Sequence, residues 1–129
     1  WPGCEAIDNN FLDYIDQNNI ILFPWSSTAR GFFIKKKEIA TSDHFSNPSM
    51  DEEKRVWHSE SNLKKREICF NIAAERNVKP IEIALAYVIQ SSKTIFPLIG
   101  PRTINELNSS IFATSLNLTD SEIEELTIT

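Results

Sequence analysis

Ile20-Ile21-Leu22-Phe23-Pro24-Trp25-Ser26-Ser27-Thr28-Ala29-Arg30-Gly31 is the stretch that decides the fold. Four apolar residues, Ile20 to Phe23, run without a break into Pro24, and from Ser26 on the residues are small, polar and permissive. A continuous apolar run bounded by turn residues suits a strand covered on both faces, as in a parallel sheet. Ligands of such folds sit at the carboxyl ends of the strands, so Trp25 to Gly31 lie where a site is expected.

Upstream of this stretch, Trp1-Pro2-Gly3 forms a turn. From Cys4 to Gln17 the positions Ala6, Ile7, Phe11, Leu12, Tyr14 and Ile15 keep a helical spacing. Asn18-Asn19 then closes the helix, since Asn tolerates the left-handed conformation. Downstream, Phe32 to Pro48 has no sustained period, and with the polar stretch to Glu60 it exceeds an ordinary connection. A connection of this length is either a lid over a ligand site or a surface loop with Phe32, Phe33 and Phe45 tucked down. His44 and His58 fall in it and read as surface histidines.

A helix follows from a Ser59 or Ser61 cap to Arg76, with Leu63, Ile68, Cys69, Ile72 and Ala73 inward and Asn77 closing it. Pro80 opens a second helix whose run from Ile81 to Ile89 is apolar on most sides, so burial against a sheet is expected. Ser91 to Thr94 is a loop, and Ile95-Phe96-Pro97-Leu98-Ile99 is the second buried strand, its proline tolerated near the end of a barrel strand. Gly100 breaks it, a helix runs from Ile104 to about Ala113, and Thr119-x-x-Glu122 has the capping-box form ahead of a last short helix. The order predicts an α/β fold: two parallel strands with flanking helices, joined by a right-handed crossover. Two strands make no stable sheet alone, so the chain either pairs with further strands or is a piece of a larger barrel.

The 129 residues amount to about one domain, with 41% hydrophobic residues to build a core. A net charge of -5 argues against nucleic acid as a partner. The basic runs Lys35-Lys36-Lys37 and Lys64-Lys65-Arg66 stand beside acidic residues and read as solvated faces. Cys4 and Cys69 show neither a disulfide framework nor a metal-ligand spacing. No apolar run approaches the roughly 18 residues of a membrane span, and no signal peptide opens the chain, so a cytosolic, reducing compartment is expected. Asn108-Ser109-Ser110 and Asn117-Leu118-Thr119 match a glycosylation pattern that matters only in a secreted protein. The chain begins at Trp1 without an initiator Met and with a helix already under way, which reads as a piece of a longer protein.

Two strand ends then offer chemistry. Trp25 offers a face for stacking, Ser26, Ser27 and Thr28 offer hydroxyls and backbone N–H groups, and Arg30 offers a fork for an anion. Gly100 lets a ligand approach the backbone, and the helix after Pro101, Arg102 and Thr103 points its N-terminus at the same mouth. Together they suit a dinucleotide.

At these residues the chain resembles a known family. Phe23-Pro24-Trp25-Ser26-Ser27-Thr28-Ala29-Arg30-Gly31, Ile83-Ala84-Leu85-Ala86-Tyr87-Val88 and Leu98-Ile99-Gly100-Pro101-Arg102-Thr103-Ile104-Asn105-Glu106-Leu107 are similar, in order and spacing, to the C-terminal part of an aldo-keto reductase. The resemblance covers essentially the whole chain. It implies the last two strands of an eight-stranded (β/α) TIM barrel, with their helices and the long loop after the seventh strand. It also implies reduction of a small carbonyl substrate by NADP, or NAD, in reduced form. Trp25 then takes the place of the aromatic that stacks on the nicotinamide, and Ser26, Ser27, Thr28 and Arg30 lie in the pyrophosphate loop. Gly100, Pro101 and Arg102 resemble the segment around the adenosine ribose and any 2'-phosphate, while Glu106 and Ser110 fall near that phosphate and the adenine.

Glu106 departs from the family in being acidic there, so a preference for NADP would rest on Arg102. Ser27 replaces a common proline. The catalytic Asp, Tyr, Lys and His that the resemblance implies belong to the first four strands, and neither Tyr14 nor Tyr87 matches their pattern. No catalytic residue carries over, and the chain alone is expected to be inactive. The competing expectation is a half-barrel remnant that serves as a structural or interaction module, self-associating through its open sheet edges.

Overall fold

A computed structural model describes residues 1, 9–34, 56–57 and 59–128. The first helix, α1 (Asn9–Gln17), buries Ile15 and leaves Phe11 and Tyr14 exposed; its expected beginning at Cys4 lies outside the described residues. Asn19, at φ 52°, ends it. The N–H of Ile20 donates to Ile15 O at 2.9 Å and that of Asn19 to Asp16 O at 3.3 Å, the paired closure of a Schellman motif with Asn in the usual glycine place.

The two expected strands meet, but as a single parallel bridge between Leu22 and Ile95. Leu22 N–H donates to Thr94 O and Phe96 N–H to Leu22 O, each at 2.9 Å, and Leu98 N–H donates to Pro24 O at 2.9 Å. The next rung of a parallel ladder needs an N–H from residue 24, and Pro24 has none. That missing donor, rather than Pro97, stops the ladder. Neither Ile20–Phe23 nor Ile95–Ile99 forms a continuous strand among the described residues, so the expected two-stranded sheet is corrected to one bridge. Asp16 fastens α1 beside it by accepting from Ser92 Oγ at 2.6 Å and Thr94 Oγ1 at 2.8 Å, and the Ser92 and then the Thr94 hydroxyl hold its carboxyl below the ordinary value.

Four further helices follow among the described residues. In α2 (Glu60–Arg76), Ser59 Oγ accepts from Asn62 N–H at 3.1 Å, and Asn77 at φ 54° closes the helix while Val78 N–H donates to Ala73 O at 2.9 Å. Cys69, Ile72 and Ala73 are buried as the spacing predicts, but Leu63 is exposed. Pro80 opens α3 (Pro80–Gln90), and Glu82 Oε2 accepts from Lys79 N–H at 2.9 Å. The apolar helix α3 packs on α2 and on α4 (Ile104–Ala113); the sheet expected beneath it is not found among the described residues, where Ile95 to Ile99 lie across a cavity from Leu85 and Ile89. The last helix, α5 (Asp120–Ile128), packs on α2. Thr119 and Glu122 cap α5 reciprocally, Thr119 N–H donating to Glu122 Oε2 at 2.6 Å and Glu122 N–H to Thr119 Oγ1 at 3.3 Å.

The core gathers Phe32, Phe33, Cys69, Ile72, Ile83, Ala84, Ala86, Leu118 and Leu126, with Trp1 packed on it. Trp1 lies 4.4 Å from Phe33 and 5.1 Å from Tyr87 between ring centroids. Phe32 and Phe33 are thus tucked down; Phe45, His44, His58 and the rest of residues 35–55 lie outside the described residues. Polar ties lock the helices. Arg76 donates through Nε and Nη2 to Glu122 at 2.7 and 2.5 Å and through Nη1 to Asn117 O at 2.9 Å, while Gln90 Nε2 donates to Leu116 O at 2.7 Å and Gln90 Oε1 accepts from Leu118 N–H at 3.0 Å.

The run Lys64-Lys65-Arg66 is not a uniformly solvated face. Only Lys64 is mainly exposed, pairing with Glu60 at 3.0 Å. Lys65 is 5% exposed, its amine donating to Leu126 O near the end of α5, and burial pushes its pKa down. Arg66 is half-buried. Consecutive residues on a helix are about 100° apart, so a charge run necessarily wraps around it and part of it meets the core.

Candidate functional site

The residues after Pro24 form a tight, internally bonded loop. Ala29 N–H donates to Ser26 O at 2.8 Å, Gly31 N–H to Thr28 O at 3.1 Å and Phe32 N–H to Ala29 O at 3.1 Å, giving the 3-10 turn Ala29–Gly31. Its backbone enters the left-handed region at Ser26 (φ 52°), Ala29 (φ 49°), Arg30 (φ 52°) and Gly31 (φ 91°). Only glycine adopts such angles freely, and each non-glycine case costs on the order of 1 kcal/mol. The surroundings must therefore hold the loop.

They do so at several points. Ser27 is buried; its hydroxyl donates to Pro24 O at 2.9 Å and its carbonyl accepts from the Trp1 indole Nε1–H at 2.8 Å. Ala29 is 1% exposed and part of the core. Arg66, from α2, donates through Nε to Phe32 O at 2.7 Å and through Nη2 to Ile34 O at 3.2 Å. What the loop presents outward is the Trp25 ring, 68% exposed, and the exposed Arg30, with Ser26 and Thr28 half-buried between them. An indole face, a guanidinium and two hydroxyl-bearing residues suit a flat ring joined to a pyrophosphate. Ser27 faces the interior instead, and its hydroxyl already has a partner within the loop.

The second strand end leaves beside the first, because Leu98 N–H bonds Pro24 O. Gly100, Pro101 and Arg102 are exposed, and a Cβ added at Gly100 would meet nothing within 4 Å. Open space there leaves room for a ligand, although no close backbone approach inside the protein demands the glycine. Thr103 caps α4 by accepting from Glu106 N–H at 3.1 Å. The Glu106 carboxylate folds back to accept from Arg102 N–H at 2.6 Å. A negative charge is thus already seated at the helix N-terminus, where a phosphate would otherwise be favoured. Ser110, one turn on, donates its hydroxyl to Glu106 O at 2.9 Å.

Of these residues only Ser110 also lines the cavity of about 380 Å³ between α3, Ile95–Ile99 and α4, whose walls include Leu85, Ile89, Ile95 and Phe96. The cavity is largely apolar and is distinct from the Trp25 loop. Tyr14 is exposed on α1, and Tyr87 Oη lies 3.3 Å from Thr127 Oγ1, so neither tyrosine stands at the strand ends. Among the described residues no group of three or more His, Cys, Asp or Glu could hold a metal ion, and no helix is long and apolar enough to cross a membrane. The supports Trp1 and Arg66 were not legible as such. A tryptophan before Pro2 carries no periodic signal, and Arg66 is masked by its basic neighbours.

The family model described as the Aldo/keto reductase family matches residues 4–129. The chain belongs to the aldo-keto reductase family, and membership implies a TIM barrel. Among relatives, norsolorinic acid reductase A of Aspergillus parasiticus is 26% identical over 98% of this chain and 30% of its own length. Norsolorinic acid reductase stcV of Emericella nidulans is 30% identical over 92% of this chain and 29% of its own. The probable aryl-alcohol dehydrogenase AAD4 of Saccharomyces cerevisiae is 30% identical over 81% of this chain and 32% of its own. The chain thus spans less than a third of the length of these relatives.

Proposed function

We propose that this chain supplies the cofactor-binding C-terminal part of an NAD(P)H-dependent oxidoreductase that reduces a carbonyl to an alcohol. The observation that carries the reading is the loop Trp25–Gly31, left-handed at Ser26, Ala29, Arg30 and Gly31, beside the exit of the second bridge segment, where Leu98 N–H bonds Pro24 O. When bound, a reduced nicotinamide supplies the hydride. The chain's own part is positional: Trp25 offers the ring a stacking face, Arg30 with Ser26 and Thr28 meets the pyrophosphate, and Gly100 to Arg102 flank the adenosine end. Names such as aryl-alcohol dehydrogenase support an aryl carbonyl as the substrate class.

In this reading residues 1–129 are one C-terminal portion of a TIM barrel, working in the cytoplasm as part of a complete barrel and inert alone. NADP is the first choice and NAD the second, with Arg102 favouring a 2'-phosphate and Glu106 opposing it. The test is titration of the purified chain with NADPH and NADH while following tryptophan fluorescence. Saturable quenching that weakens about tenfold or more in Trp25→Ala supports the reading; absence of quenching, or quenching untouched by the substitution, overturns it.

A second reading has its own observation. Ile21, Phe23, Phe96 and Leu98 are each more than half exposed on the bridge segments, with Phe23 and Phe96 6.0 Å apart between centroids. An apolar face of this kind also suits a half-barrel module that self-associates.

A further inference from the structure

Arg66 ties α2 to the segment that leaves the Trp25 loop. Its guanidinium forks onto two backbone carbonyls, Phe32 O at 2.7 Å and Ile34 O at 3.2 Å, and rests 5.6 Å from the Phe32 ring centroid and 4.3 Å from that of Phe70. The carbonyls it holds follow directly on Ala29, Arg30 and Gly31, whose left-handed angles the chain would leave if released. The planar fork fits this place and an ammonium does not. It serves two acceptors at fixed separation while stacking on rings, whereas lysine offers a compact, strongly hydrated charge.

We propose that Arg66 is the positioning residue of the nucleotide loop: it fixes Phe32 and Ile34 so that Arg30 and Thr28 are already placed for a pyrophosphate when the cofactor arrives. This rests on the reading of Trp25–Gly31 as a cofactor loop. Arg66 touches no ligand in this scheme. Its contribution is to remove the cost of ordering a strained loop at the moment of binding, the usual gain from preorganisation. Trp1, whose indole donates to Ser27 O, steadies the opposite end of the same loop.

The test compares the whole chain with Arg66→Lys and, as a control, Arg76→Leu, which breaks the α2–α5 tie far from the loop. Two quantities are read: amide hydrogen exchange without cofactor, and NADPH affinity by titration. Arg66→Lys is expected to speed exchange at Gly31, Phe32 and Ile34 about tenfold or more while the amides of Ile83 to Ala86 keep their rates, and to weaken NADPH binding about tenfold. Arg76→Leu is expected to lower the melting temperature and leave both loop exchange and affinity within about twofold. Unchanged loop exchange in Arg66→Lys would overturn the clamp whether or not cofactor binds. Faster exchange with unchanged affinity would overturn the positioning role, and so would an equal loss of affinity in the control. If the unsubstituted chain binds no NADPH, the cofactor reading itself falls and the positioning role with it, while the exchange data still report on the clamp alone.

Discussion

Glu106 is where residue chemistry bears most directly on cofactor choice. Its carboxylate accepts from Arg102 N–H at the start of α4, so a 2'-phosphate drawn to the same helix end meets a like charge. Glu106→Gln should therefore strengthen NADPH binding severalfold relative to NADH, read as the ratio of the two dissociation constants. Cys69 makes the opposite kind of statement. It is fully buried, and burial pushes its thiol up to about 12, with the nearby Lys65 only partly offsetting that. The native thiol should thus resist alkylation at pH 8 and react only on unfolding, as a thiol-reagent time course with and without denaturant will show. The sign for stability follows: unfolding releases the thiol proton near its ordinary value, so above about pH 8.5 this group favours the unfolded chain increasingly.

The elements were legible where local chemistry settles them. Asn19 and Asn77 end their helices in left-handed backbone, Pro80 opens α3, Ser59 caps α2, and Thr119 with Glu122 caps α5, all as the residue types dictate. What local chemistry does not carry is partnership. Pro24 deletes a rung that only the opposing Phe96 carbonyl would reveal, and the packing of α3 on both α2 and α4 has no local signal. Lys65 and Arg66 look solvated by composition and are drawn inward by their place on α2. In the candidate site, the outward placing of Trp25 and Arg30 agrees with the sequence reading, while the inward turn of Ser27 and the supports from Trp1 and Arg66 depend on contacts far apart in sequence.

The α2–α5 tie gives a pH prediction at this scale. Burial acts to raise the Glu122 carboxyl, yet the Thr119 N–H and the Arg76 guanidinium outweigh it and hold the group below its ordinary value. A depressed folded-state value adds stability above the unfolded value of about 4.3 that is lost as pH falls through the folded one. Glu122→Gln should accordingly destabilise the chain by about 1–2 kcal/mol at pH 7, discounted for partial exposure, with the difference from the unsubstituted chain vanishing in acid. Denaturant unfolding at several pH values measures it.

For the molecule as a whole, the apolar row Ile21, Phe23, Phe96 and Leu98 stands open in a chain spanning less than a third of its relatives' length. A surface of this sort drives association, so Phe23→Glu should shift the chain toward monomer in sedimentation while leaving its helical content unchanged. An unshifted distribution would place any self-contact elsewhere. The aldo-keto reductase family supplies the frame, and the two loops leaving the Leu22–Ile95 bridge supply its local content. In the proposed function those two loops form one site. Amide hydrogen exchange of the chain with and without saturating NADPH tests this most directly: simultaneous protection of residues 25–34 and of Arg102 to Glu106 is expected. Protection at only one of the two segments, or at neither, would contradict it.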